Sequence, residues 1–142
     1  MWPTYSSGVP ILPADWVRVY VPQIGLWHHG IVRHVYGVVG GVAVSIIHNA
    51  KDDGVTVSDW YDFANGNDVQ LHQRSGPECA AAILARADSR FGHSYSLLGQ
   101  NCEHFASEAF TGVARSESVV ALGIIALLVA GVAYSNSATT VT

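Results

Sequence analysis

The sequence predicts an α+β domain in which a small antiparallel sheet packs on helices, followed by a hydrophobic C-terminal helix. Three observations lead to this prediction. The first half contains segments rich in β-branched residues with polar and apolar alternation, an alanine-rich segment with helix start and stop residues follows, and the apolar run VVALGIIALLVAGVAY lies near the end. The 142 residues suffice for one modest domain.

The strands are predicted in the first half of the chain. The segment from Asp15 to Pro22 alternates polar and apolar side chains between prolines, which predicts an edge strand. Two β-branched segments, Leu26 to Val35 and Val42 to His48, flank the glycine-bearing stretch YGVVGG, which predicts a hairpin. Another short strand is predicted within the segment from Val55 to Asn65, and a last one at VQLHQ.

Two helices are predicted in the second half. The segment from Gly76 to Gly92 has Pro77 near its first turn and a glycine at its end, which favours one alanine-rich helix. Cys79 is expected to be a small core residue of this helix. The last helix of the domain begins around Asn101 or Cys102, with Asn101 as the N-cap, and ends at Thr111 before a glycine.

Composition narrows the class of protein. Only 13% of the residues are charged and the net charge is -4, which argues against nucleic-acid binding because that function needs clustered lysine and arginine. The two cysteines are too few for a disulfide framework, so free thiols in a reducing compartment are expected. The first residues lack the basic and apolar regions of a cleavable signal peptide.

The run from Val119 to Tyr134 predicts a membrane anchor. It is uncharged and apolar on every side, and with Ser118 and Ser135 it approaches the length of about 20 residues that a bilayer core requires. The alternative is a buried helix of the globular core. Arg115 precedes the run and no cation follows it, which favours a domain facing the cytoplasm. The predicted organisation is a catalytic domain over residues 1–115 and a single-pass anchor over residues 118–135.

Cys102 is the strongest candidate for chemistry. A thiol in the first turn of a helix faces unsatisfied backbone amides and the positive end of the helix dipole, and both favour the thiolate. A nucleophilic cysteine at this position also needs a base. Glu103 and His104 are expected to serve the helix itself.

Two of the seven histidines are placed to act together. His28 and His48 lie at equal distances on either side of Val38, so a hairpin centred there makes them cross-strand partners on one face. A register slip by one residue favours His29 instead. A zinc site formed by Cys102, His104, His28 and His48 is the competing hypothesis, but the close-spaced ligand pairs of zinc sites are absent from the sequence.

These residues carry a resemblance. The segment His28-His29-Gly30-Ile31, a later histidine, Tyr95 and the block Asn101-Cys102-Glu103-His104-Phe105 resemble the lecithin:retinol acyltransferase family, which includes the HRAS-like suppressor phospholipases and acyltransferases. That family belongs to a circularly permuted branch of the NlpC/P60 papain-like superfamily. The motifs span roughly residues 10–112.

The resemblance implies roles for five residues. His28 is the general base, Cys102 the nucleophile, and His48 orients and polarises His28, while Tyr95 and Asn101 shape the site. The sequence departs from the family in one respect, because His48 follows His28 by twenty residues and the second histidine of most members follows more closely. A hairpin lengthened equally in both arms keeps the two histidines opposite each other.

The implied activity is acyl transfer or phospholipase A hydrolysis on phospholipid acyl esters, through a thioester on Cys102 and without a metal or other cofactor. The partners expected are a phospholipid substrate and a membrane. Two alternatives stay open: a cysteine peptidase of the NlpC/P60 type, whose cysteine usually precedes its histidine in the chain, and a non-enzymatic membrane adaptor of the H-box/NC type.

Overall fold

A five-stranded antiparallel sheet forms the centre of the fold, and helices pack on both of its faces. The computed structural model describes residues 2–95 and 101–113. Within them the strands and helices follow one another as β1 (Trp16–Val21), β2 (Leu26–Val38), β3 (Gly41–Ala50), β4 (Gly54–Asp59), α1 (Trp60–Ala64), β5 (Val69–Gln73), α2 (Pro77–Ser89) and α3 (Cys102–Thr111). The predicted α+β class, with a small antiparallel sheet packed on helices, is confirmed.

The spatial order of the strands is β4-β3-β2-β1-β5, so β1 lies inside the sheet. The prediction of an edge strand for Asp15 to Pro22 is therefore wrong. The bounding prolines, Pro13 and Pro22, lie outside Trp16–Val21 and remove no donor from the ladder. Val17 and Val19 are buried and β1 pairs with both β2 and β5, which gives the strand two hydrogen-bonded neighbours.

The predicted hairpin is confirmed as β2 and β3, but its register differs from the expected one. The turn consists of Val39 and Gly40, with Gly40 at φ +87°, and not of residues centred on Val38. A β-bulge between Val32 and His34 shifts the pairing by one residue. As a result His48 pairs with Gly30, and the prediction that His48 lies directly opposite His28 is wrong.

The helices of the second half are confirmed, and one short helix was not predicted. The unpredicted helix, α1, begins after Asp59, whose side chain accepts a hydrogen bond from the Asp62 amide. In α2, Cys79 is exposed, so the expectation that it is a core residue is wrong. The face of α2 that meets the sheet carries Ile83 and Ala87 instead.

The sheet separates two hydrophobic clusters. On one face α1 and the N-terminal segment cover a cluster that contains Val32, Ile46 and Phe63. On the other face α2 and α3 cover a cluster that contains Ile31 and Phe105. The two histidines of the His28-His29 doublet therefore face different clusters, because neighbouring side chains of a strand point to opposite faces.

The predicted anchor over residues 118–135 lies outside the described residues. Within residues 2–95 and 101–113, no helix has the length and apolar character needed to cross a bilayer.

Candidate active site

His28 and His48 form the centre of the candidate site. The Nε2 atom of His28 lies 2.8 Å from Nδ1 of His48, and the two rings meet edge to face with centroids 4.9 Å apart. The Nε2 atom of His48 lies 2.8 Å from Oγ of Ser58 on β4. Because His48 pairs with Gly30, the two histidines are diagonal neighbours on one face of the sheet.

The β-bulge decides which member of the His28-His29 doublet joins His48. Near the turn Val38 pairs with Gly41, and an unbroken register from that pair would place His48 opposite Ile31 on the face of His29. The bulge takes up the additional residue, Arg33, so that the pairing moves by one position and His48 lies on the face of His28.

A phenylalanine encloses the histidine pair. The Phe63 ring of α1 lies 5.1 Å from the His28 ring and 5.3 Å from the His48 ring, between centroids. Gly30 makes room for it, since a Cβ atom there would lie 2.9 Å from Phe63 Cε2 and 2.6 Å from Ile46 Cγ2. Burial lowers the pKa of His28 to about 4, and burial together with the neighbouring His28 lowers the pKa of His48 to about 3. Both rings are therefore neutral near pH 7.

Cys102 begins α3, as the sequence predicts. Asn101 is the N-cap, and its Oδ1 accepts a hydrogen bond of 2.8 Å from the His104 amide. The sulfur atom of Cys102 lies 3.9 Å from the Trp27 carbonyl oxygen, and the backbone amide of His29 also reaches it. The sulfur thus contacts the two backbone groups of β2 that flank His28. They lie just beyond Gly30 and His48, the last residue pair that joins β2 to β3.

The surroundings of the thiol act in opposite directions on its pKa. Burial is the largest influence and raises the pKa of Cys102, with the Glu103 carboxylate adding to the increase. Hydrogen bonds from the backbone amides of His29, Glu103 and Cys102 lower it by a smaller amount. The net result is a pKa above the ordinary value for cysteine, so the thiol form dominates at neutral pH.

Tyr95 also lies near Cys102. Burial raises the pKa of its hydroxyl, and the proximity of Cys102 raises it further. The structure thus gathers Cys102, Asn101 and Tyr95 at the start of α3, and His28 and His48 on the adjoining strands.

Sequence reasoning missed three neighbours of these residues. Ser58, Phe63 and the Trp27 carbonyl contact the site through pairing and packing that no local motif records. Ser58 lies in the segment from Val55 to Asn65, for which a short strand was predicted, and it is the last residue but one of β4. Among the described residues there is no group of three or more histidine, cysteine, aspartate or glutamate side chains that could hold a metal ion.

The second histidine of the doublet belongs to a different group of side chains. His29 is buried on the α3 face, where its Nδ1 accepts a hydrogen bond of 2.9 Å from Trp16 Nε1. Its Nε2 lies 3.6 Å from the Glu103 carboxylate. Glu103 therefore does more than complement the helix N-terminus, because it also contacts the sheet.

Comparison with known proteins shows which family the chain resembles. The sequence pattern described as "Lecithin retinol acyltransferase" matches residues 13–115. The chain is 28% identical to Phospholipase A and acyltransferase 3 of Homo sapiens, and the alignment covers 88% of this chain and 91% of the relative. The proteins of the same name from Pongo abelii and Mus musculus are 27% and 26% identical, with the same coverage. The match over most of the chain establishes that this protein belongs to the lecithin retinol acyltransferase family.

Proposed function

We propose that this protein is a thiol-dependent acyltransferase or phospholipase A, which acts on the acyl esters of phospholipids through a thioester on Cys102. One observation carries the proposal. The Cys102 sulfur contacts the Trp27 carbonyl oxygen and the His29 amide, which flank His28. The His28 ring is hydrogen-bonded to His48. The names of the three relatives support the substrate class and the two reaction types.

The hydrogen-bond chain fits a base at Nδ1 of His28. If His48 donates from Nε2 to Ser58, its Nδ1 accepts the proton of His28 Nε2. His28 Nδ1 then carries a lone pair. Nδ1 is also the ring nitrogen nearer the backbone of His28, against which the sulfur lies. In this arrangement His48 is a positioning residue and Ser58 fixes its tautomer.

The reaction proceeds by two substitutions at one carbonyl carbon. His28 accepts the Cys102 proton as the sulfur attacks the ester, and a tetrahedral oxyanion forms. Backbone amides at the start of α3 are suitable donors for that oxyanion. The carbon–oxygen bond breaks, His28 protonates the departing lysophospholipid oxygen, and the acyl group remains on sulfur. An acceptor then donates its proton to His28, attacks the thioester and restores the thiol.

The proton moves during the attack and not before it. The raised thiol pKa and the lowered imidazole pKa both oppose a resting pair of thiolate and imidazolium. His28 therefore acts as a general base, and Cys102 is nucleophilic only when the substrate carbonyl is in place. Water as the acceptor gives a phospholipase, and an amine or alcohol gives an acyltransferase.

The two alternative functions lead to different expectations. A peptidase related to NlpC/P60 would cleave amides, and a non-enzymatic adaptor would form no thioester. In this chain the histidine precedes the cysteine, which fits the permuted order.

We further propose that residues 118–135 anchor the protein to a membrane as a single span, with the catalytic domain facing the cytoplasm, because an apolar uncharged run follows Arg115.

The function is tested by incubating the purified full chain with phosphatidylcholine in detergent micelles and measuring lysophosphatidylcholine. We expect release by the wild type, and none above background for Cys102→Ala or His28→Gln. The matched control is Cys79→Ala, which removes the exposed thiol of α2. We expect this variant to keep full activity. A wild type that releases no lysolipid would contradict the proposal, and so would an active Cys102→Ala variant.

A further inference from the structure

A cavity of about 450 Å³ lies beside the nucleophile, on the α3 face of the sheet. Its volume lies within the range of small-molecule sites, roughly 300 to 1,000 Å³. Strands β1, β2 and β5 form one side and α3 the other. It contains neither His28 nor His48, so it is distinct from the catalytic pair, but Trp27, His29 and Glu103 border both the cavity and Cys102.

The cavity contains an arginine without an ion partner in the described part of the chain. The Arg18 guanidinium lies 4.1 Å from the centre of the Trp27 ring. Its Nε atom is buried and makes no hydrogen bond with residues 2–95 or 101–113. No carboxylate in those residues forms a salt bridge with Arg18. An arginine that is fixed by stacking and still has donors available is suited to an anion with several oxygen atoms, such as a phosphate group.

A negative charge lies elsewhere in the same cavity. Glu103 borders it, and the nearby His29 does not neutralise the carboxylate, because burial lowers the pKa of His29 to about 3. The Trp16 hydrogen bond to His29 Nδ1 also leaves the single proton of the neutral ring on Nε2, facing Glu103. The cavity therefore offers one positive and one negative group, as a zwitterionic ligand requires.

The border of the cavity is apolar and exposed. Leu26 and Val113 both border it, and they are 48% and 65% exposed. Ile24, on the turn between β1 and β2, is 66% exposed. Val113 is followed within six residues by the apolar run that begins at Val119, a distance of at most about 20 Å for an extended chain. These features favour a lipid over a free phosphate compound as the source of the ligand.

We propose that this cavity, here called the headgroup cavity, binds the zwitterionic headgroup of the phospholipid substrate, with Arg18 on the phosphodiester and Glu103 on the ammonium group. The inference rests on the proposed function and specifies its substrate. Only the glycerol backbone separates the phosphate of a phospholipid from its ester carbonyls. Arg18 stacks on Trp27, and the carbonyl oxygen of Trp27 lies 3.9 Å from the Cys102 sulfur, so a phosphate held by Arg18 keeps an ester carbonyl close to Cys102.

The first test compares two substrates. One is a short-chain phosphatidylcholine, and the other is a p-nitrophenyl ester of the same acyl chain, which lacks phosphate. The readout is the ratio of kcat/KM for the phosphatidylcholine to kcat/KM for the ester. We expect Arg18→Gln to lower this ratio about 10- to 100-fold, because hydrogen bonds to a charged group are lost. Arg18→Lys, which retains the charge, should lower it less. An unchanged ratio in Arg18→Gln would overturn the inference.

The matched control is Arg33→Gln. Arg33 lies on β2, and its ion pair with Asp88 is remote from the headgroup cavity, so the ratio should equal that of the wild type. The failure of the inference can be distinguished from the failure of the proposed function. A wild type that cleaves neither substrate contradicts the function, whereas a wild type that cleaves both, with no change of ratio in Arg18→Gln, contradicts only the headgroup assignment.

A second measurement is made on the folded wild type, in case Arg18→Gln does not fold. The full chain is titrated with glycerophosphocholine while the indole N–H resonance of Trp27 is followed by nuclear magnetic resonance, with Trp27→Phe for assignment. We expect this resonance to shift at lower concentrations of glycerophosphocholine than of inorganic phosphate or choline. No shift with glycerophosphocholine, or an equal response to inorganic phosphate, would overturn the inference.

Discussion

At the scale of single side chains, the two cysteines differ in ways that chemistry can measure. Cys79 is exposed on α2, whereas Cys102 is partly buried and its pKa is raised by burial. Because the thiolate is the reactive form, iodoacetamide should modify Cys79 faster than Cys102 near pH 7. The measurement is peptide mass spectrometry over time. Faster labelling of Cys102 would reveal a preformed thiolate and would contradict general-base activation.

The histidine pair should make stability depend on pH. The folded pKa of His48, about 3, lies below the ordinary value of 6.5, so the unfolded chain binds the proton more readily between these values. The stabilisation is complete above the unfolded pKa and is lost as the pH falls toward the folded pKa. Between about pH 7 and about pH 5, His48 should account for a loss of about 2 kcal/mol in the free energy of unfolding.

Urea denaturation at these two pH values checks this prediction. In His48→Asn the decrease in the free energy of unfolding should be smaller than in the wild type, because one titrating group is removed. An equal decrease in the two proteins would mean that His48 is not held neutral in the folded state.

Single residues were predictable where the relevant interaction is local. Asn101 and Cys102 follow from helix-capping rules, since the cap and its hydrogen-bonded amide lie within one turn. Ser58 and Phe63 could not be predicted, because their contacts with the histidines depend on how β4 and α1 lie against β3. The exposed side chain of Cys79 was mispredicted because the composition of α2 does not show which of its faces meets the sheet.

At the scale of elements, the β-bulge in the β2–β3 hairpin lies between the two-residue turn and the histidine pair. Val32 pairs with Ile46 and His34 with Ser45, so Arg33 is one residue more than β3 can match. Deletion of Arg33 should remove the bulge and leave His28 and His48 on the same face. The ion pair lost with Arg33 is largely exposed and of little value to stability.

We therefore expect the Arg33 deletion to retain lysophospholipid release within about threefold of the wild type, since exposed ion pairs contribute little. Lysophosphatidylcholine assays and circular dichroism of the deletion variant provide the measurement. A folded variant with no activity would show that the bulge has a role beyond accommodating Arg33.

The bulge also explains what the hairpin pattern could predict. Apolar alternation and the glycine-bearing turn were sufficient for the two strands and their pairing. The register was not available, because a bulge requires only one additional residue and Arg33 carries no local signal for it. The pairing of the two histidines was predicted from direct opposition, whereas the structure brings them together diagonally.

At the scale of the whole molecule, an ion pair between partly exposed Arg74 and buried Asp15 joins the residue after β5 to the segment before β1. Arg74 donates two hydrogen bonds, of 2.9 and 2.8 Å, to the carboxylate of buried Asp15, which also accepts one from the Tyr5 hydroxyl. Arg74→Met should lower the free energy of unfolding by about 3 to 5 kcal/mol, because a buried carboxylate loses its partner. Urea denaturation measures the change.

The control for this prediction is the double variant Asp15→Asn with Arg74→Met, which removes both charges. It should recover part of the lost stability, because no unpaired charge remains. If the protein with only Arg74→Met is as stable as the wild type, Asp15 finds another partner or takes up a proton at little cost.

The α+β class was predictable for the whole molecule because strand and helix patterns occupy separate halves of the chain. The interior position of β1 was not predictable, since the residues of β5 that pair with it lie fifty or more positions away along the chain. Pairing over that distance depends on the global arrangement of the strands and leaves no periodic signal in β1 itself.

Formation of an acyl group on Cys102 is the central claim, and intact-protein mass spectrometry tests it most directly. The wild type and Cys102→Ala are mixed with phosphatidylcholine of a defined chain length and quenched in acid at short times. We expect the wild type to gain the mass of one acyl group, the peptide with Cys102 to carry it, and hydroxylamine to remove it. Lysolipid release by the wild type with no adduct at any time, or an equal adduct on Cys102→Ala, would contradict the account.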